Sequence, residues 1–165
     1  ACCGDAARKF PQNYILLGIF TVCEGIMIGT ICLFYEAEVV WLALLMTVGV
    51  TAGLTVFACQ TKWDITGTGG FLFAALWALM LFGFILLFIP SVNGARMSTT
   101  YKVYAGLGVL IFSVFIVYDT QLIMGGKHKK HSFGVDDYCF AALNLYLDII
   151  NLFLYLLALL GSGDR

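Results

Sequence analysis

The sequence predicts an all-α integral membrane protein, a polytopic bundle of about five helical spans. Three observations predict it: 61% of the 165 residues are hydrophobic, 12% are charged, and mean hydropathy is +0.95. An average soluble domain is about half apolar and about a quarter charged. A soluble core built from a chain of this length could not enclose so much apolar surface, so lipid must be the solvent. The net charge of −1 excludes the basic footprint that nucleic-acid binding requires.

A transmembrane helix needs about 20 mostly apolar residues, and five stretches qualify. Residues 1–13 form a polar segment with no secretory signal, and its start without Met leads us to expect a chain trimmed upstream. The bundle is expected over residues 14–161, with a short tail at 162–165. The first span, 14–35, follows Pro11 and contains Glu24. The second, 39–59, has no charge. The third, 70–89, is entered through the Gly-rich TGTGG and ends at Pro90. The fourth, 102–124, carries Asp119 and ends at Gly125-Gly126. The fifth, 138–160, carries Asp148. Gly and Pro punctuate these boundaries as helix breakers do.

The Lys and Arg in the connections set an orientation. Arg8, Lys9, Lys62, Lys127, Lys129 and Lys130 fall on one side, and Arg96, Lys102 and Arg165 on the other. The richer side is expected to be cytoplasmic, which puts the acidic connection Glu36-Ala37-Glu38 on the lumenal or outer face. Trp41, Trp63, Tyr14, Tyr35, Tyr101 and Tyr138 lie near span ends, where interfacial anchors belong. Gly25/Gly29 and Gly49/Gly53 repeat four apart and are expected to pack helices inside one bundle. Cys23, Cys32 and Cys59 fall in apolar runs and no C-x-x-C exists, so the cysteines read as helix-packing residues and not as a disulfide or zinc framework.

An ionised side chain at membrane depth costs at least about 2.5–3.5 kcal/mol, and therefore marks a partner or a function. Glu24, Asp119 and Asp148 are the acids within spans, and no Lys or Arg lies deep in any span. On the fifth span Asn144, Asp148, Asn151 and Tyr155 follow i, i+4, i+7, i+11 spacing, one polar stripe on an apolar helix. Asn144 and Asn151 alone would read as interhelical glue. Asp148 would not, because a carboxylate is costlier than an amide wherever an amide would serve. Asp119, next to Tyr118, lies about five residues, or roughly 7 Å, from the end of its span, and Asp148 roughly 15 Å from the start of the next. A short connection makes these helices antiparallel neighbours, so modest tilt can bring the acids level. Two carboxyl groups in contact in low dielectric share one proton and titrate as a pair. Such a contact can bias a closed against an open arrangement. With Glu24 and Thr21 as further oxygens, the interior offers the donors Ca²⁺ prefers.

Three patterns are set aside. His128 and His131 lack an acid or Cys at ligand spacing and read as a solvated loop. TGTGG lacks the G-K-[ST] of a phosphate-binding loop. Tyr118-Asp119 with Gly161-Ser162-Gly163-Asp164 imitates an intramembrane aspartyl protease, but Asp164 lies beyond the fifth span, on the side opposite Asp119. No enzymatic activity and no cofactor is expected.

Four segments occur in order: FPQNYILLGIFTVCEG, TVFACQTKWDITGTGG, VYDTQLIMGGKHK and DDYCFAALNLYLDIINLFLYLLALLG. By these, the chain resembles the Bax inhibitor-1 superfamily, and within it the Lifeguard group, over residues 10–161. The resemblance implies a seven-helix bundle that acts as a pH-sensitive calcium leak and, in eukaryotes, suppresses cell death. The five spans here correspond to helices three to seven, with the last helix at the centre. The family's paired aspartates fall on Asp119 and Asp148, its FT-x-x-E acid on Glu24 and its loop aspartate on Asp64. Tyr118, Asn144 and Asn151 are expected to support the ion pathway. Members carry two further spans upstream, and in some a basic residue there pairs with the aspartates. These 165 residues alone are therefore not expected to conduct. Calcium, bound transiently at Asp119 and Asp148, the bilayer and cell-death regulatory membrane proteins are the implied partners. The location is an endomembrane (ER or Golgi) in a eukaryote or the inner membrane in a bacterium. The competing reading is a non-conducting scaffold that binds cell-death or channel partners.

Overall fold

A computed structural model of the protein describes residues 11–88, 94–125 and 138–161, the side chains of 94–98 excepted. Five helices follow one another there: α1 (Gln12–Cys32), α2 (Ala37–Gln60), α3 (Gly69–Phe88), α4 (Gly94–Met124) and α5 (Tyr138–Gly161). A 3-10 turn, Thr66–Thr68, leads into α3, and no strand occurs among the described residues. All five are long and apolar enough to cross a membrane. At 1.5 Å per residue, α3 with 20 residues reaches about 30 Å, the thickness of a hydrocarbon core.

The helix ends differ from the sequence expectation where polar residues belong to helices. α2 begins at Ala37, so Glu38 lies in its first turn and not in the connection. A carboxylate there favours the helix because the N-terminal end carries partial positive charge. α4 begins at Gly94, well before Lys102, because a helix continues through the interfacial zone after its apolar stretch has ended. Its other end is a left-handed stop. Gly125 has φ 58°, and its N–H donates to Gln121 O at 3.1 Å, a conformation Gly adopts without a Cβ penalty.

α5 is the hub. From Leu143 to Gly161 none of its residues is exposed, and it packs on α4 most extensively, then on α2 and α1. Leu152 and Leu157 are fully enclosed, against Ile116 and Phe112 of α4, Ala43 of α2 and Leu79 of α3. The opposite surfaces of α1, α2 and α3 expose large apolar side chains such as Ile26, Leu45 and Phe84, which suits lipid. Trp41, Trp63, Tyr14, Tyr101 and Tyr138 are exposed near helix ends, as anchors require.

The small-residue pairs are not where the helices meet. Among the described residues nothing lies within 4 Å of a Cβ built on Gly25, Gly29, Gly49 or Gly53. Helix phase is the reason: the packed stripes are Phe20, Glu24, Ile28 and Ile31 on α1, and Ala43, Thr47, Val50 and Leu54 on α2. The glycines turn away from both. Close approach happens at Gly108 and Gly69, against the rings of Tyr155 and Tyr118. Of the described cysteines, Cys139 is buried and Cys32 partly so, while Cys23 and Cys59 are exposed. Among these four only the first two act as packing residues.

Candidate functional site

α4 and α5 run antiparallel, and their register is fixed by aromatic contacts. Phe112 stacks on Tyr155 at 5.6 Å and 25°, while Tyr104 meets Tyr155 edge-on at 5.5 Å with the hydroxyls 3.0 Å apart. Gly108 permits this, because its missing side chain makes the space the Tyr155 ring fills. Seven residues along each helix from the Phe112–Tyr155 stack, about two turns, stand Asp119 and Asp148. Aromatic register thus sets the acids level.

The two acids meet. Both are buried, at 5% and 7% exposure, and their carboxyl groups lie within electrostatic reach of one another. Two carboxyl groups can share a hydrogen bond only when one holds a proton, since a carboxylate is acceptor-only. The Asp148 Oδ2 atom is buried with no hydrogen-bond partner. No ion pair reaches either acid among the described residues, and the described cations, Lys62 and Lys102, are exposed. The offset between roughly 7 Å and 15 Å in depth is absorbed by stagger: α5 starts beyond the end of α4, level with α1, where Asn13 Nδ2 donates to Tyr138 Oη at 2.8 Å.

The pair opens onto a cavity of about 630 Å³ between α3, α4 and α5. The whole polar stripe of α5, Asn144, Asp148, Asn151 and Tyr155, lines it, with Tyr118 and Asp119 from α4. Phe73 and Met80 of α3 and Phe115 of α4 supply apolar walls. Asn151 donates one Nδ2 N–H to Leu147 O at 2.8 Å, which leaves its carbonyl oxygen and its second N–H for other partners. Carboxyl, amide and phenol oxygens could take a cation in passing. Among the described residues no cluster of three His, Cys, Asp or Glu exists.

Glu24 and Asp64 stand apart from the pair. Glu24 is partly buried on α1, outside the cavity lining, with its Oε2 buried and without a hydrogen bond. Thr21 turns its hydroxyl onto Leu17 O at 2.8 Å and is exposed, not a ligand of the site. Asp64 shapes the α2–α3 connection: its Oδ1 accepts from Thr66 N at 3.0 Å and Thr66 Oγ1 at 2.6 Å, an Asx-type turn. His128, His131 and Asp164 lie outside the described residues.

Sequence reasoning missed Gln121. It is fully buried, its Nε2 donating to Trp63 O and its Oε1 accepting from Ile65 N–H, both at 2.9 Å. The available signal was an amide within a span, two residues from a buried acid.

A family model described as "Inhibitor of apoptosis-promoting Bax1" matches residues 2–165. The chain is 39% identical over 153 residues to Bax inhibitor 1 of Schizosaccharomyces pombe, covering 93% of this chain and 53% of that protein. It is 38% identical over 169 residues to Protein lifeguard 3 of mouse, covering 99% of this chain and 52% of that one. The human Protein lifeguard 3 matches equally well, with 51% of its length covered. The chain spans about half the length of these relatives. The match to the family model over residues 2–165, together with these relatives, establishes that this chain belongs to the Bax inhibitor family that includes the Lifeguard proteins.

Proposed function

We propose that the whole protein is a pH-sensitive calcium leak that regulates calcium homeostasis and cell death, gated by the Asp119–Asp148 pair. The observation that carries this reading is the juxtaposition of two buried carboxyl groups on adjacent, packed helices, both lining one cavity. The contact exists with one proton and is lost when both groups ionise, because like charges repel strongly in low dielectric. Proton loss therefore drives α4 and α5 apart at that level and leaves two carboxylates facing the cavity. Calcium, the transported ion, finds there carboxylate oxygens with Asn144 and Asn151 beside them, the hard donors it takes. An endomembrane location accords with the eukaryotic relatives.

The test is calcium flux in liposomes carrying the complete protein, measured across a pH series. Asp119→Asn and Asp148→Asn should each change the pH dependence, because an amide keeps the shape but cannot titrate. If both variants follow the wild-type profile, the gate lies elsewhere. A second reading, a non-conducting scaffold for cell-death proteins, is favoured by the family's description as an inhibitor of apoptosis-promoting Bax1. It requires wild-type flux no higher than that of empty liposomes.

A further inference from the structure

The α2–α3 connection is bound to the same helix that carries Asp119, through a residue the gate does not use. Gln121 is fully buried and grips two main-chain groups, Trp63 O and Ile65 N–H, each at 2.9 Å. A carboxamide does this at any pH, because it holds a donor and an acceptor side by side and does not titrate. One turn earlier Tyr118 abuts the first residue of α3: a Cβ on Gly69 would lie 2.6 Å from its hydroxyl. Between these contacts the connection is stiffened by the Asp64–Thr66 bonds.

Gln121 follows Asp119 by two residues, so the two side chains leave α4 about 200° apart. The amide is held on one side of the helix and the carboxyl meets α5 on the other. A rotation of α4 by about 20° would carry a group about 5 Å from its axis through roughly 1.7 Å, enough to break the carboxyl contact. The two bonds of Gln121 oppose that rotation. We propose that Gln121 is a positioning residue that sets the helical phase of α4, and that through it the α2–α3 connection controls the Asp119–Asp148 contact. Among the described residues the other titratable groups lining the pair's cavity are Tyr118 on α4 and Tyr155 on α5, with none from α3; Asp64 in the connection and Glu24 on α1 stand apart from it. The inference rests on the gate reading for its flux consequence alone.

The experiment uses the complete protein with Gln121→Leu and Gln121→Glu. Amide hydrogen exchange at Ile65 reports the latch. Infrared absorption of the shared carboxyl proton, assigned with Asp119→Asn, reports the pair. Calcium flux against pH reports the gate. Gln121→Leu should speed Ile65 exchange about tenfold, the effect of losing two ordinary hydrogen bonds, and shift or abolish the carboxyl band. Gln121→Glu can make both bonds only when its own carboxyl is protonated, so its exchange and band should return to wild type on acidification while those of Gln121→Leu stay altered. Faster exchange with an unchanged carboxyl band and unchanged flux profile would reduce Gln121 to a loop anchor and overturn the proposal. Unchanged exchange in both variants would do the same. Absent flux in the wild type, with the band responding as expected, would refute the leak reading and leave the positioning role standing.

Discussion

Gly106 and Gly108, two residues apart on α4, provide a paired measurement of how tightly α4 and α5 are joined. Replacing an interior helical Gly by Ala gains about 0.8–1 kcal/mol of helix propensity, and this gain is common to both sites. A Cβ at Gly106 meets nothing within 4 Å, whereas one at Gly108 lies 2.5 Å from both Cγ and Cε1 of Tyr155. Carbon atoms pack at about 3.5–4.0 Å, so the ring must retreat by about 1 Å. It has little room, being stacked on Phe112 at 5.6 Å and tied to Tyr104 through hydroxyls 3.0 Å apart. Overpacking of this kind costs about 1–3 kcal/mol. Reversible unfolding in mixed micelles should therefore find Gly106→Ala more stable than Gly108→Ala by about 1–3 kcal/mol. The difference should vanish when Tyr155→Ala is added to both. Stabilities within about 0.5 kcal/mol of each other in the Tyr155 background would refute the packing account.

Other consequences follow from the same contacts. Tyr104→Phe and Tyr155→Phe should each lower stability by about 0.5–1.5 kcal/mol, and the double variant should lose little more than either one. A double-mutant cycle in the same micelles checks that coupling. Asn13 is 2% exposed and holds α1 to α5 through Tyr138, so Asn13→Leu should raise amide exchange along the start of α1 while leaving α4 unchanged. Gly69→Ala should displace the Tyr118 phenol from the start of α3, and, on the proposed gating by Asp119, should shift the flux–pH profile of the complete protein. Lipophilic maleimides should label Cys59, which is exposed, and spare Cys139, which is buried until the bundle unfolds.

Lipid made the spans legible. Its fixed thickness demands helices of about one length, so apolar runs alone located all five to within a few residues, except where α4 extends through polar Thr99 and Lys102. Asp119 and Asp148 were legible because a carboxyl group in hydrocarbon is expensive, and the stripe through Asn144, Asn151 and Tyr155 because 3.6-residue periodicity places them on one face. Glu24 gave the same signal as the aspartates, yet it stands outside their cavity. The rotation of a helix relative to its neighbours is a tertiary property, which a single span does not encode. The glycine pairs misled for that reason, since spacing reveals which residues share a face and not what that face meets. Gln121 was silent because its partners are main-chain atoms 58 and 56 residues away, and any sequence supplies those.

The stagger between α4 and α5 has a bearing on how the chain is made. Among the described helices α1 finds its main contact in α5, which is synthesised after it, so that contact must wait until α5 has entered the bilayer. Asp119 must wait too, but it lies five residues from the end of α4, about 7 Å, and can rest near the headgroups meanwhile. Asp148 sits about twice as deep along its own helix and reaches the hydrocarbon only as α5 inserts. The shallower acid is there to receive it, so the costlier carboxyl group need never cross the bilayer centre alone.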